Sequence, residues 1–332
     1  MRLGMLLTTS PEHQNSVTAL RVARAALGGL SAILALVLVA PVALAQSAGH
    51  GAKTSGYPNG QLLVDTRDVA DRLGDPNIRL VDLRPQGPRG YAGYAQGHIP
   101  GAVYVNWQEI DDITSNRKGL PMDQAKAEAL FSRLGIDENV RVIAYDNSGG
   151  LWAARLFFVL EFFGHKNVAV LNGGLTKWVQ AGRPLSIEKP GISPKKFVAR
   201  PSPNLIATAE WVKDNLRQSR VCLVDARTPH EYQGNGLEWG IERAGHIPGA
   251  VLINWVDTIN SDDRTFKSAE ELQKIFEKAG ATKDREIVTY CRSGVRAAHN
   301  YFVARLLGYE KVRNYDGSWL DWGNRPELPV ER

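Results

Sequence analysis

Short runs of apolar and β-branched residues alternate along the chain with longer segments in which apolar residues recur at helical spacing. In the second half, the runs at 221–225 and 287–290 predict buried strands. Segments 268–279 and 297–307 carry apolar residues three and four positions apart, and a capping-box pattern opens the first of them at Ser268. Strands that alternate with helices predict an α/β fold, in which helices cover both faces of a parallel sheet.

The same series of segments occurs twice in the chain. The order of the matching segments is kept at offsets of 143, 148 and 145 residues, so only the connecting loops differ in length. We therefore infer a tandem duplication with one parallel sheet in each copy. The matching segments are 80–84 with 223–227, 97–103 with 245–251, and 142–146 with 287–291.

A proline-rich stretch separates the two copies. Residues 187–203 contain several prolines and show neither helical nor strand periodicity, which is typical of an extended linker. We place the first domain at 57–186 and the second at 204–330.

The first 45 residues have the layout of a secretory signal. Arg21 and Arg24 precede an apolar run at 30–39, Pro41 follows, and small residues end the segment at Ala45. We expect cleavage after Ala45 and export, to the periplasm. The alternative is an uncleaved membrane anchor with the rest of the protein facing the periplasm, because about 20 apolar residues can span a bilayer. Membrane attachment is expected only through this segment.

Charge and cysteine content exclude several classes of function. Lys and Arg number 40 against 35 Asp and Glu, a net charge of +5 with no concentrated basic run, so we expect no nucleic-acid partner. Two cysteines, Cys222 and Cys291, are too few for a disulfide framework or a cysteine-rich metal site. We expect neither a metal nor a cofactor.

One of the two cysteines stands where chemistry is expected. Cys291 directly follows a predicted strand and precedes a predicted helix that begins near Ala297, so residues 291–296 should form a tight loop. Gly294 lets that loop curl, and its N–H groups and the helix N-terminus favour an anion at its centre. With Arg292 and Arg296 beside it, the Cys291 thiol is expected to be largely ionised at neutral pH.

These motifs together resemble the two-domain rhodaneses, a family of sulfurtransferases, over nearly everything after residue 57. The motifs on which this resemblance rests are Asp-x-Arg, Gly-His-Ile-Pro-Gly-Ala, Cys-Arg-x-Gly at Cys291, and Tyr-Asp-Gly-Ser-Trp at 315–319. The resemblance implies two rhodanese-like domains and a two-step transfer. Cys291 takes the outer sulfur of a small anionic donor as a persulfide and passes it to a thiophilic acceptor, cyanide or a thiol.

The residues expected to bind the donor flank the nucleophile. For Arg227, which has a counterpart in the first half at Arg84, a structural ion pair and a substrate contact remain equally open. The full set of expected donor-binding residues is Arg292, Ser293, Gly294, Val295, Arg296 and Arg227.

The first half carries an aspartate where the second carries its cysteine. Residues 145–150 read Tyr-Asp-Asn-Ser-Gly-Gly, with Asp146 at the position of Cys291. A carboxylate cannot hold sulfane sulfur and would repel an anionic donor. We therefore expect the first domain to be catalytically inactive, a division that is usual in two-domain rhodaneses.

Two other functions compete with sulfur transfer. Related folds use a similar cysteine loop in phosphatases and arsenate reductases, but those need five residues between cysteine and arginine. Here Arg296 comes after four, and Ala297 holds the required position. A non-catalytic sulfur-binding or regulatory module is the second alternative, and the intact Cys291 loop argues against it.

The residues of the loop give mixed indications about which sulfur donor is used. Arg292 resembles the thiosulfate-type loop, whereas Ser293 resembles the 3-mercaptopyruvate type. The mercaptopyruvate type's first-domain partners have no match, since Gln108 falls near its aspartate. We therefore predict thiosulfate as donor, with 3-mercaptopyruvate as the alternative. Glu231 stands where the thiosulfate type has a substrate-binding arginine, and Arg296 and Arg292 are expected to supply that charge.

Overall fold

The computed structural model describes residues 56–85, 91–111 and 121–332. It contains two parallel β-sheets with helices around them, which confirms the predicted α/β fold. The leader at 1–45 lies outside the described residues. Among the residues that are described, no helix combines the length and apolar character needed to cross a membrane.

The first sheet is built from five strands of the first half, in the order β1-β5-β4-β2-β3. All of its strand pairs are parallel, and Leu80 on β2 lies opposite Ile143 on β4. Central strands are buried on both faces, which explains their continuous apolar runs. The strands are β1 (Leu63–Val64), β2 (Ile78–Asp82), β3 (Val103–Tyr104), β4 (Arg141–Tyr145) and β5 (Val168–Leu171).

The second sheet repeats this plan with four strands in the order β7-β6-β8-β9. Leu223 on β6 lies opposite Val288 on β8, again in parallel register. The predicted strands at 221–225 and 287–290 are both present, the second with one more residue. The strands are β6 (Val221–Asp225), β7 (Val251–Leu252), β8 (Glu286–Tyr290) and β9 (Val312–Asn314).

Helices connect the strands and pack on the sheets. The capping box predicted at Ser268 is present, since its Oγ accepts the N–H of Glu271 and the Glu271 carboxylate accepts the Ser268 N–H. The helices of the first half are α1 (Thr66–Ala70), α2 (Tyr91–Gln96), α3 (Trp107–Ile110), α4 (Gln124–Arg133), α5 (Leu151–Phe162) and α6 (Gly174–Gln180). Those of the second are α7 (Ala209–Asn215), α8 (Pro229–Tyr232), α9 (Ala269–Lys278), α10 (Val295–Leu306) and α11 (Ser318–Trp322).

The two halves share a core along α5 and α10. Phe157 meets Phe302 edge-to-face with ring centroids 5.0 Å apart, and Phe158 meets Tyr301 at the same separation. Fully buried aromatic pairs of this kind add to the stability of packed helices beyond their buried area. The halves therefore form one packed body. Both helices of this pair begin at the loops discussed below.

The proline-rich segment between the halves is extended and tied to the first half. The N–H of Phe197 donates to Ser132 Oγ at 3.0 Å, and the Phe197 ring packs on Phe131 with centroids 4.9 Å apart. The N–H of Arg200 donates to the carbonyl of Phe163 at 2.9 Å. The domain boundaries at 186 and 204 stay a prediction.

Candidate active site

Cys291 follows β8, a central strand of the second sheet. Its Sγ accepts the N–H of Gly294 at 3.2 Å. The side chain is buried, 1% exposed, against Ala226, Ala297 and the partly buried Trp255. A sulfur in this setting meets an apolar wall on one side and a backbone donor on the other. Such a site holds a desolvated sulfur with a backbone donor aimed at it.

The loop after Cys291 is shorter than predicted. Gly294 has φ 89° and serves as the N-cap, so α10 begins at Val295 rather than near Ala297. The prediction was wrong by two residues because a positive φ turns the chain into the helix at once. Arg296 therefore lies in the first turn of α10 and not in the loop.

Arg296 is held by a carboxylate. Its two terminal nitrogens donate to the two oxygens of Glu231 at 2.6 and 2.8 Å. Burial raises the pKa of Glu231, but the bonds from Arg296 and Thr228 outweigh burial and lower it to about 2. A cation in the first turn of a helix is unfavourable by itself, and the pairing with Glu231 compensates for this. Glu231, noted in the sequence as a departure, is thus the direct partner of Arg296.

Arg292 is also paired with a carboxylate. Its Nε lies 3.2 Å from Glu238, and its Nη2 donates to the carbonyl of Trp239 at 2.6 Å. Burial raises the pKa of Glu238, and the charge of the neighbouring Glu231 raises it further. Both arginines that follow Cys291 are therefore engaged by carboxylates of the second half.

The remaining loop residues contribute backbone and little side-chain chemistry. Ser293 is partly exposed at the tip of the loop, and Val295 is buried at the start of α10. Gly294 contributes the N–H that meets Sγ of Cys291. The sequence thus identified residues that the structure brings together around the sulfur.

Arg227 follows the end of β6 by two residues, and its contacts differ from those of Arg292 and Arg296. It pairs with Asp225, with Nη2 to Oδ2 at 2.6 Å, and donates to the carbonyl of Gly245 at 2.7 Å. Its guanidinium lies 4.6 Å from the ring centroid of Trp319. Burial lowers the pKa of Arg227, but Asp225 outweighs it and raises the pKa. These contacts favour the structural alternative for Arg227.

The first half repeats this arginine arrangement. Arg84 pairs with Asp82, with Nη2 to Oδ2 at 2.7 Å, and donates to the carbonyl of Gly97 at 2.9 Å. Because the same contacts occur in a half without the cysteine, they serve the fold of both copies.

The motif at 315–319, which the sequence analysis noted without a structural role, supports the Cys291 loop through hydrogen bonds. The N–H of Cys291 donates to Ser318 Oγ at 3.1 Å, and the N–H of Trp319 donates to the Cys291 carbonyl at 3.0 Å. Ser318 adopts φ 53°, although it is not a glycine. The matching residue of the first half is Gly174, with φ 52°, so the repeat itself carried the signal that this position bends sharply.

The corresponding loop of the first half is filled by its own carboxylate. Oδ1 of Asp146 accepts the N–H groups of Ser148 and Gly150 at 2.7 and 3.0 Å. Oδ2 accepts those of Trp152 and Ala153 at 2.8 and 3.0 Å. Burial raises the pKa of Asp146, and the four N–H groups oppose that rise. The anion-binding capacity of this loop is used within the loop.

No metal centre occurs in the part of the chain that the structure describes. In residues 56–85, 91–111 and 121–332, no three His, Cys, Asp or Glu side chains are grouped so that they could hold an ion. His299, which follows the Cys291 loop, is buried, and its Nε2–H donates to the carbonyl of Gly149 at 3.0 Å.

The sequence matches one protein family along both halves. The model of the rhodanese-like domain matches residues 65–181 and again residues 208–325. The chain is 38% identical over 290 residues to the sulfur carrier protein TtuD of Thermus thermophilus, covering 83% of this chain and 99% of that protein. It is 36% identical over 274 residues to the thiosulfate sulfurtransferase of Pseudomonas aeruginosa, covering 81% of this chain and 97% of that protein.

Solved structures with a similar fold include an enzyme of ergothioneine biosynthesis. The anaerobic ergothioneine biosynthesis enzyme from Chlorobium limicola, in complex with trimethyl histidine, superposes with a TM-score of 0.72 at 26% identity. The match covers 82% of this chain and 71% of that enzyme.

Proposed function

Because the chain belongs to the rhodanese-like domain family and is a sulfurtransferase, we propose that it moves the outer sulfur of thiosulfate through Cys291 to a thiophilic acceptor. The observation that carries this proposal is the Sγ of Cys291, which lies at the end of a buried strand with the N–H of Gly294 aimed at it from 3.2 Å. A curated relative that carries the name thiosulfate sulfurtransferase supports the choice of donor.

The transfer takes place in two balanced steps. The Cys291 thiolate attacks the outer sulfur of thiosulfate, an S–S bond forms, and the S–S bond of the donor breaks to release sulfite. Cyanide or a thiolate then attacks the outer persulfide sulfur, which leaves as thiocyanate or a new persulfide and returns Cys291 to the thiolate. The loop amide stabilises the negative sulfur at both stages.

The pairing of Arg292 and Arg296 with carboxylates supports a second donor. Arg296 is already engaged by both oxygens of Glu231, and Arg292 lies beside Glu238. The dianion thiosulfate must share these arginines with resident carboxylates, whereas 3-mercaptopyruvate carries one charge fewer. We therefore retain 3-mercaptopyruvate as the second candidate donor.

We propose that the first half does not transfer sulfur. Asp146 offers no sulfur nucleophile, and its carboxylate already takes the four N–H groups that would otherwise meet a bound anion. The role of this half lies in packing against the second.

Steady-state kinetics test the proposal. Thiocyanate formation from thiosulfate and cyanide is expected to give parallel double-reciprocal lines, as a covalent intermediate requires, and to disappear in Cys291→Ser. Cys222→Ala is the matched control, since Cys222 lies within β6 and burial raises the pKa of its thiol. Turnover that survives in Cys291→Ser would contradict the assignment. A wild-type protein inactive with both thiosulfate and 3-mercaptopyruvate would point to a binding module.

We further propose that the enzyme works after export, as the leader pattern ending at Ala45 predicts. Amino-terminal sequencing of the protein recovered from the periplasm is expected to begin at Gln46. A start before Gln46 on a membrane-bound protein would favour the anchor instead.

A further inference from the structure

A buried arginine of the first half reaches the segment behind the Cys291 loop. Arg155 lies on α5, and its side chain has no exposed surface. Its guanidinium donates to both oxygens of Asp316, with Nη2 to Oδ2 at 3.1 Å, and Nη2 also donates to Asp111 at 3.1 Å. Burial lowers the pKa of Arg155, but the two carboxylates outweigh burial and raise it, so the guanidinium stays charged.

Asp316 in turn lies directly against the glycine that ends the loop. A Cβ at Gly294 would clash with the carboxylate of Asp316 and with its backbone oxygen. Nδ2 of Asn314 donates to Oδ1 of Asp316 at 3.1 Å and to the carbonyl of Gly294 at 3.3 Å. Because the N–H of Gly294 meets Sγ of Cys291, the placement of Asp316 controls the direction of that N–H.

The ion pair occurs in one direction only between the two copies. In the second half, His299 takes the place of Arg155, and in the first half, Asn172 takes the place of Asp316. His299 donates to the carbonyl of Gly149, and the Asn172 side chain accepts the N–H of Phe266. The duplicated chain therefore has the arginine in the half without the cysteine and the aspartate in the half that contains it.

We propose that Arg155 is a positioning residue of the sulfur transfer, which holds Asp316 against Gly294 and so keeps the loop N–H aimed at the Cys291 sulfur. The charge of Arg155 has a second effect, because an unpaired Asp316 carboxylate would repel an ionised Cys291 in this buried setting. The proposal rests on Cys291 being the reactive thiol. It gives the inactive half a part in the reaction besides packing.

The test follows the reactivity of Cys291 in the full chain, in a Cys222→Ala background, by alkylation with iodoacetamide across a range of pH. In Arg155→Met, we expect the pH midpoint of alkylation to rise, since the thiolate loses a fixed donor and gains an unpaired neighbouring carboxylate. With thiosulfate, kcat should fall about tenfold or more and KM less than about threefold, as expected for lost positioning. Arg155→Lys should restore part of kcat, because an ammonium keeps the charge but not the paired geometry.

Glu161→Gln is the matched control on the same helix. The Glu161 carboxylate accepts from Tyr301 at 2.8 Å and from Arg305 at 2.9 Å, both on α10 and at the other end of the helix pair. This variant also loses a partly buried ion pair between the halves. We expect it to lower the stability but to leave the alkylation midpoint and kcat near those of the parent.

Equal shifts in Arg155→Met and Glu161→Gln would overturn the proposal, and so would an unmoved midpoint and kcat in Arg155→Met. If Arg155→Met does not fold, Asp316→Asn is the second variant, because it keeps the shape of the side chain and removes the ion pair. An unchanged kcat in Asp316→Asn would also contradict the proposal. Alkylation needs no sulfur donor. A wild-type protein that alkylates as expected but takes no sulfur would refute the proposed donor and leave the role of Arg155 standing.

Discussion

The loops after β4 and β8 both end at a glycine of positive φ that caps the following helix, but the first loop is one residue longer and the two differ in the atoms at their centre. In the first half, the carboxylate of Asp146 takes four backbone N–H groups at 2.7 to 3.0 Å. In the second half, Sγ of Cys291 takes the N–H of Gly294 at 3.2 Å. A carboxylate has two oxygens and reaches across the loop, so it satisfies the donors by itself.

The comparison shows how a duplicated fold can separate structure from chemistry. The arginine pairs of Arg84 and Arg227 are the same in both halves and belong to the fold. The Arg296–Glu231 pair has no counterpart, because Trp152 holds the matching position, the second residue of α5, in the first half. Features common to both copies therefore indicate folding roles, and features found in one copy indicate the reaction.

The largest effect is expected when Cys291 is replaced by aspartate, the residue at the matching position of the first loop. Cys291→Asp should fold, because an aspartate can satisfy the loop N–H groups as Asp146 does. Turnover of thiosulfate and cyanide should fall at least about a thousandfold, since no sulfur nucleophile remains. Thiocyanate production and circular dichroism measure the two outcomes. A folded variant with more than about a hundredth of wild-type turnover would show that the sulfur does not pass through this position.

Removing the carboxylate from the first loop should lower the stability of the protein and leave the reaction of the second half unchanged. Asp146→Ala leaves four N–H groups without their acceptor, and we expect the free energy of unfolding to fall by about 4 kcal/mol. Asp146→Asn, which keeps one oxygen, should lose less. Urea denaturation measures both variants, while the kcat of the folded protein should stay within about threefold of wild type. A loss below about 1 kcal/mol would mean that the carboxylate does not hold the loop.

A buried histidine on α10 leads us to predict that the stability of the protein depends on pH. His299 donates to the carbonyl of Gly149 in the first loop, and burial lowers its pKa from 6.5 to about 4, with that hydrogen bond opposing the shift. Between these values the unfolded chain binds a proton that the folded chain does not. The free energy of unfolding should therefore fall by about 3 kcal/mol as the pH drops from about 6.5 to about 4.

His299→Gln is the control for this pH dependence, because the amide can donate to the same carbonyl without titrating. Urea denaturation of the wild type and of this variant at several pH values separates the histidine from other acid-titrating groups. Parallel curves for the two proteins would show that His299 does not contribute.

The smallest expected effect concerns the arginine that only the second half carries. Arg296→Ala should raise KM for thiosulfate about tenfold and KM for methanethiosulfonate, which carries one charge fewer, by less. Glu231→Gln should act in the opposite direction, since it releases the guanidinium from a charged partner. Initial rates with both donors give the comparison. Equal changes in KM for the two donors would show that Arg296 does not recognise the charge of the donor.

Much of the fold followed from the chain alone because its signals are local or repeated. The apolar runs of β6 and β8 and the capping box at Ser268 are contained within a few residues, and the repeat fixed their equivalents in the other half. Cys291 was identified in the same way, from its place between a strand and a helix. The start of α10 was missed because the positive φ of Gly294 is a property of the folded loop.

The partners in the site could not be predicted, because they join distant parts of the chain. Glu231 and Arg296 are 65 residues apart, and Arg155 and Asp316 are 161 apart in different halves. No periodicity or spacing connects such residues. Only the packing of α5 on α10 and of α8 beside the loop brings them together.

The most direct test of the division between the two halves is the intact mass of the chain after incubation with thiosulfate, followed by peptide mapping without reductant. The wild type is expected to gain the mass of one sulfur atom, carried by the peptide that contains Cys291, and Cys291→Ser is expected to gain none. Sulfur on Cys222 or elsewhere, or an equal gain in Cys291→Ser, would contradict the assignment of the reaction to the second loop.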